Sequence, residues 1–240
     1  MRRLALLLWL CVASPAWAAI TQASMTSGTD AVDNTIFTTA SITPTANNLV
    51  IAVINNRATD PNADDPSLSG NGMTWVEITN VLWSATNRRL TMLRAMGASP
   101  SAGAVTITFN NTQTDCHWSI FEFAGVDTSG TNGSGAVVQS ATNTDNPITS
   151  LTVTLAAFGS ATNGAASGFV HNAAEASTPD TDWTEIHDLN GTAVGLETQW
   201  RATSDTTAAA SWATSSRGAG IAIEIKEEVA GAARRVFLVQ

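Results

Sequence analysis

The chain has 240 residues, 11 of them basic against 20 acidic, for a net charge of −9, and Lys226 is its single lysine. Nucleic acid and anionic lipid both require a basic footprint that displaces counterions, so the composition argues against either partner. Low overall charge with abundant Thr, Ser, Asn and Ala fits an extracellular β protein whose solubility rests on hydroxyls, amides and net acidity.

The N-terminus reads as an export signal over 1–18. Arg2 and Arg3 precede an apolar run over 4–12 that is too short to span a bilayer, and Ala16-Trp17-Ala18 supplies a small-x-small cleavage site. Cleavage predicts a secreted or periplasmic mature chain from Ala19, not inserted in a membrane, with 9 basic and 20 acidic residues and a net charge of −11. It also removes Cys11 and leaves Cys116 alone. With no partner thiol for an intramolecular disulfide, stability must come from a packed core, which a single β domain over 19–228 is long enough to build.

Along that domain the same β-rich pattern occurs twice. The first copy runs through 47–56 (NNLVIAVINN), 73–78 (MTWVEI), 89–96 (RLTMLRAM), 105–110 (VTITFN) and 118–125 (WSIFEFAG). The second answers in order with 167–172 (SGFVHN), 182–186 (DWTEI), 196–203 (LETQWRAT), 208–214 (AAASWAT) and 220–226 (GIAIEIK). The alignment pairs Trp75 with Trp183, Glu77 with Glu185, Arg94 with Arg201 and Glu122 with Glu224, which predicts repeat halves of about 35–127 and 148–227 around a Gly/Ser/Asn-rich bridge. Val105, Ile107 and Phe109 alternate with polar residues as a strand with one wet face does, and Ala208, Ala210 and Trp212 keep that alternation. In 49–54 both faces are apolar, which marks a central strand covered on both sides. Turn signals fall at 69–72, 127–135 and 190–191, and no segment sustains a helical period.

The order of an apolar strand, Gly72-Met73-Thr74-Trp75, a charged strand, a Thr-rich strand and an apolar strand ending in Gly125-Val126-Asp127 resembles the duplicated jelly-roll-like β-sandwich modules of secreted bacterial proteins and phage virion proteins. The resemblance implies an all-β, antiparallel β-sandwich built from an internal duplication, acting as an accessory binding or structural module, with no catalytic residue carried over. This chain has Thr-Trp where Trp-Thr is usual in that family, and the second copy lacks the Gly.

Chemistry is sparse. His117, His171 and His187 lie in three separate strand regions without zinc spacing, and neither a nucleophile elbow nor a phosphate-cradling glycine loop occurs. Cys116 and His117 are adjacent in a strand and so point to opposite faces, which makes the thiol a buried, inert group. Glu122 and Glu224 have the residue type of a glycosidase pair, but their equivalence in the repeat is accounted for by outward positions that recur with the strand. The sequence therefore predicts a non-enzyme without a cofactor.

Two features point to binding. Asp60, Asn62 and Asp64 alternate in a loop that is longer than its counterpart, 19 positions from Asn56 to Trp75 against 11 from Asn172 to Trp183. Alternating oxygen ligands suit calcium, although the helix-loop-helix glycine and closing glutamate are absent, and a solvated acidic loop is the competing reading. The alignment also places Trp118, Ile120, Leu90 and Met92 on a face that is small or polar in the second copy. That face is either covered within the chain or is a contact surface for a glycan, another protein or a second copy of the chain. The tail over 229–240 ends in apolar residues from Val236, which could add as an edge strand, cover that face, or fray. The expected function is surface or carbohydrate binding, with a structural subunit of an extracellular or virion assembly as the alternative.

Overall fold

The computed structural model describes residues 19–59, 62–191 and 193–228. The expected signal at 1–18, Asp60 of the acidic loop and the tail at 229–240 lie outside the described residues. The strands are β1 (Thr21–Asp30), β2 (Asn34–Ile42), β3 (Leu49–Ala58), β4 (Ser67–Ser69), β5 (Val76–Trp83), β6 (Arg88–Ala95), β7 (Gly103–Ala124), β8 (Val137–Thr154), β9 (Gly164–His171), β10 (Thr178–Pro179), β11 (Thr184–Asn190), β12 (Gly195–Arg201) and β13 (Thr207–Ile225). No helix occurs among the described residues, and all pairings are antiparallel.

The strands form two antiparallel sheets, one of seven strands and one of six. The first runs β1-β7-β3-β6-β5, with β2 and β4 also on β7, and the second runs β10-β13-β9-β12-β11, with β8 also on β13. β7 and β13 are long enough, at 22 and 19 residues, to serve two layers each. The C-terminal part of β7 pairs with β1 and β3, while its N-terminal part pairs with β2 and β4.

Three cores follow from this arrangement. The central one joins the inner faces of both sheets, with Leu49, Ile51, Val53, Phe121 and Phe123 meeting Val170, Leu196, Ile221, Ile223 and Ile225. Each sheet also rolls over its own outer face. In the first, Phe37, Val105, Ile107 and Phe109 close over Val50, Ala52, Ile54, Trp118 and Ile120. In the second, Leu151, Val153, Ala208, Ala210 and Trp212 close over Ala165, Phe169 and Ala222. The apolar run in β3 reflects this double cover: Leu49 to Ile54 are all fully buried, alternate residues serving alternate cores.

The cross-strand registers correct the sequence alignment in two places, and in β3 and β9 they put His171 rather than Asn172 at the place of Asn56. Val50 lies opposite both Glu122 and Ala95, and Ala165 lies opposite both Glu224 and Arg201. Arg201 therefore takes the place of Ala95, not Arg94, and the β6 and β12 alignment is slipped by one residue. A slip of one in a strand exchanges its two faces. The expected halves also begin too late. β1 and β2 precede residue 35 in whole or in part, and β8 starts at Val137 inside the expected bridge. Most of β8 is exposed, so it lacks the apolar alternation that reveals a strand in sequence.

The bridge that remains, 127–135, is pinned at both ends. Val126 forms a β-bridge with Glu227 and Lys226 Nζ donates to Asp127 at 2.6 Å at one end, and Lys226 N–H donates to Ala136 O at 2.8 Å at the other. Hydrogen bonds from Lys226 and Ser129 hold the Asp127 carboxyl down at about 2. Gly133, with φ of 79°, rests its α-carbon against Leu49 where a Cβ would approach Cδ1 to 2.7 Å.

Candidate functional site: a polar cleft where the two sheets meet

At one end of the sandwich the inner face of the first sheet turns from apolar to polar. Successive cross-strand rows read Met92, Val53, Ser119, then Leu90, Asn55, His117, then Arg88, Arg57, Asp115. The last row sets two arginines side by side, and Asp115 compensates them. Arg88 Nη1 lies 3.2 Å from Asp115 Oδ1, and His117 Nε2 lies 3.8 Å from the same oxygen. Arg88 is also 5.7 Å from the ring centroid of Trp83, whose Nε1 donates to Asn55 Oδ1 at 3.2 Å. Burial lowers the Arg88 and His117 pKa values, and Asp115 opposes both shifts. The imidazole of His117 is consequently neutral near pH 7.

Beyond Trp83 the β5-β6 connection makes an unusual turn. Ser84, Ala85 and Thr86 have φ of 53°, 61° and 72°, three consecutive non-glycine residues in the left-handed region. The turn is held from several sides. Asn172 Nδ2 donates to Ser84 Oγ at 2.7 Å, Thr86 N–H to Trp83 O at 3.1 Å, and Ala63 N–H to Thr86 O at 3.0 Å. The turn forms one wall of a cleft of about 360 Å³ whose other wall is Thr144, Asp145 and Asn146 of β8 with Arg217 and Gly218 of β13. The cleft thus draws its walls from both sheets. Its lining offers hydroxyl, amide, carboxylate and guanidinium groups, and Asp145, Asn146 and Arg217 are exposed. On the far side of the Asp115 row a smaller recess of about 200 Å³ is lined by Thr29, Arg57, Thr114, Asp115, His117 and Ala193.

The structure does not bring the sequence-predicted face together. Leu90 and Met92 belong to the central core, whereas Trp118 and Ile120 belong to the outer core of the first sheet, on the opposite face. The cause is the one-residue slip: Leu90 and Met92 correspond to Leu196 and Thr198, not to Glu197 and Gln199. All four are buried, with Trp118 the most accessible at 7%. Trp118 lies over Gly28 of β1, where a Cβ would come within 2.4 Å of the indole. Cover within the chain, one of the two readings open from sequence, is what the N-terminal strands provide.

Glu122 and Glu224 are buried rather than outward. Glu122 accepts from Thr45 N–H at 2.9 Å and Thr45 Oγ1 at 2.7 Å. Glu224 accepts from Gln139 Nε2, Asn163 Nδ2 and Gly159 N–H. Each glutamate therefore anchors the loop that leads into its neighbouring strand, β3 or β9. Asp64 turns its carboxylate to the backbone and side chain of Asn111, Asp65 pairs with Arg89 at 2.6 Å, and Asn62 is exposed. Among the described residues no group of His, Cys, Asp and Glu has metal-holding geometry.

Two further groups bear on reactivity. Cys116 is fully buried, and burial raises its thiol pKa well above the ordinary value. Ser119 Oγ lies 2.8 Å from His187 Nδ1, the spacing of a nucleophile and its base. Yet Ser119 is fully enclosed, its hydroxyl also meets Thr198 Oγ1 at 2.8 Å, and no ion pair to His187 occurs among the described residues. The arrangement is a hydrogen-bonded bridge between the sheets. Sequence reasoning missed the cleft because its walls are a short Ser-Ala-Thr turn and a polar edge strand, neither of which carries a motif. Comparison with protein-family models, curated proteins and solved structures finds no match to this chain.

Proposed function

We propose that this chain is an exported, non-catalytic binding module that meets a polar surface, such as a glycan, through the cleft between the β5-β6 turn and β8. The observation that carries this reading is the composition of the cleft. It has the volume of a small-ligand site, and its walls are hydroxyl, amide and opposite-charge groups suited to a neutral polyhydroxylated ligand. A backbone held in the left-handed region by contacts from both sheets is the kind of preorganised strain that collects at binding sites. Export is supported by the charged start, apolar run and small-x-small site of 1–18, and the module class by the resemblance to duplicated jelly-roll-like sandwiches.

A structural subunit is the second reading, and β8 favours it. This long strand is largely exposed and carries Val138 at 49% exposure, while Val32 at 68% and Ile36 at 49% flank the β1-β2 turn. An edge of that length offers a template for a neighbouring copy. A glycan-array screen followed by titration tests the first reading. Binding by the wild type that is lost in both Asp145→Ala and Arg217→Ala supports the cleft. Binding that survives both substitutions moves the site elsewhere, and discrete multimers by light scattering without glycan binding support the subunit reading.

A further inference from the structure

The outer face of the second sheet carries an acidic group that the first sheet lacks. Glu197 of β12 is fully buried, and neither carboxylate oxygen has a hydrogen-bond partner. Its cross-strand neighbour in β11 is Asp188, whose Oδ1 is also enclosed and unpartnered, and Glu185 stands on the same face opposite Gln199. In the first sheet the corresponding places hold Thr91, Asn80 and Glu77, and the place of Gly195 holds Arg89, which donates to Asn80. The second sheet thus carries two carboxyls where the first has neutral side chains, and a glycine where the first has the cation.

The charges that act on Glu197 are those of Asp188 and Glu185 from β11, while the adjoining β9 contributes His171 and the 172–183 segment Glu175, Asp180 and Asp182. Arg201, in β12 itself, is engaged by Asp205 at 2.9 Å and Asp182 at 3.9 Å. His171 stays neutral near pH 7 because burial pushes it down to about 4. Two carboxylates at cross-strand spacing without a cation do not both ionise, and the pair is accommodated by holding a proton.

The 172–183 segment is fastened over this face by groups that surround the pair. Asp180 N–H donates to Gln199 Oε1 at 2.9 Å, Ser177 Oγ meets His171 Nε2 at 3.1 Å, the Ser177 backbone hydrogen-bonds to Asp188, and Trp183 sits in the outer core. We propose that the Glu197–Asp188 pair is a proton-held latch, which keeps the 172–183 segment closed over the second sheet and releases it when the proton leaves in alkaline medium. Burial, then the charges of Asp188 and Glu185, push the Glu197 carboxyl up from its ordinary 4.5 to about 8. The folded chain therefore holds one more proton than the unfolded chain between those values. The stability this confers is complete below about 4.5, drains as pH rises, and is gone above about 8.

The test is thermal unfolding of the whole protein at intervals from pH 5 to pH 9, with limited proteolysis read by mass spectrometry at both ends. The wild-type Tm is expected to fall toward pH 8 and then level, with new cleavage inside 172–183 on the alkaline side. Glu197→Gln, a permanent mimic of the protonated acid, should flatten the alkaline fall and suppress that cleavage. Asp188→Asn, which installs the first sheet's residue, should move the midpoint of the fall to lower pH, and it keeps the test alive if the glutamine variant folds poorly. An unchanged alkaline fall in Glu197→Gln, or a wild-type Tm indifferent to pH over this range, overturns the latch. So does millimolar calcium restoring the wild-type Tm at pH 9 but not that of Glu197→Gln, which would make the pair a cation site.

Discussion

Glu122 and Glu224 show how a residue that repeats in the sequence can repeat a structural task. Each is a buried acceptor that ties a loop to the start of a strand, but Glu224 serves three separate partners and Glu122 only Thr45. Removing the Glu224 carboxylate leaves buried Asn163 without its acceptor, at about 1–3 kcal/mol for an unsatisfied group, whereas exposed Thr45 can turn to water when Glu122 is removed. Glu224→Ala is therefore expected to cost about 1–3 kcal/mol, and Glu122→Ala less, in urea unfolding. Equal losses in the two variants would show that enclosure of the donors does not set the cost. The repeated tryptophans differ in the same graded way. Trp183 is 7% exposed within the outer core of the second sheet, while Trp75 is half-buried against the first. Trp183→Ala should cost about 3–5 kcal/mol, the range for a buried aromatic, and Trp75→Ala should cost less.

At the scale of elements, the left-handed turn at 84–86 opposes local preference, since a non-glycine residue at positive φ is disfavoured by about 1–2 kcal/mol. Glycine at Ala85, which is exposed with φ of 61°, should relieve this strain and offset its own greater unfolded-state entropy. Ala85→Gly is therefore expected to raise stability by up to about 1 kcal/mol, and to weaken any ligand that depends on a rigid cleft wall. A destabilised Ala85→Gly would mean that the turn is not strained. This turn was not legible in the sequence, because Ser-Ala-Thr has no strong left-handed preference and the conformation is imposed by Asn172 and Ala63, both distant along the chain. The all-β class, the central position of β3 and the alternation of Val105, Ile107 and Phe109 were legible, because a buried face leaves its period in the residues that form it. The partnership of β6 with β12 was legible only to within one residue. Both strands tolerate apolar or long side chains on either face, so the matched Arg94 and Arg201 drew the alignment off register.

For the whole molecule, the central core sets how the parts depend on one another, because it is built from the inner faces of both sheets and neither sheet can cover its own. The protein should unfold in one transition, and the response of that transition to pH is then the sum of groups in both sheets. Asp127, held at about 2 against an ordinary 3.8, stabilises the fold above its unfolded value, and that contribution is lost as pH falls toward 2. His171, pushed by burial from 6.5 to about 4, leaves the folded chain short of a proton between those values, so its contribution falls as pH drops through them. Glu197 acts in the opposite sense, losing stability as pH rises from about 4.5 to about 8. Where the last two windows overlap, from about 4.5 to 6.5, their slopes oppose, and urea midpoints should form a plateau that falls away on both sides. Replacing His171 by Asn, the residue the first sheet carries at this place as Asn56, removes one of the opposing slopes. The plateau should then tilt, with stability rising continuously as pH is lowered from about 8 to about 4.5. A plateau that stays flat in His171→Asn would show that the two groups do not balance.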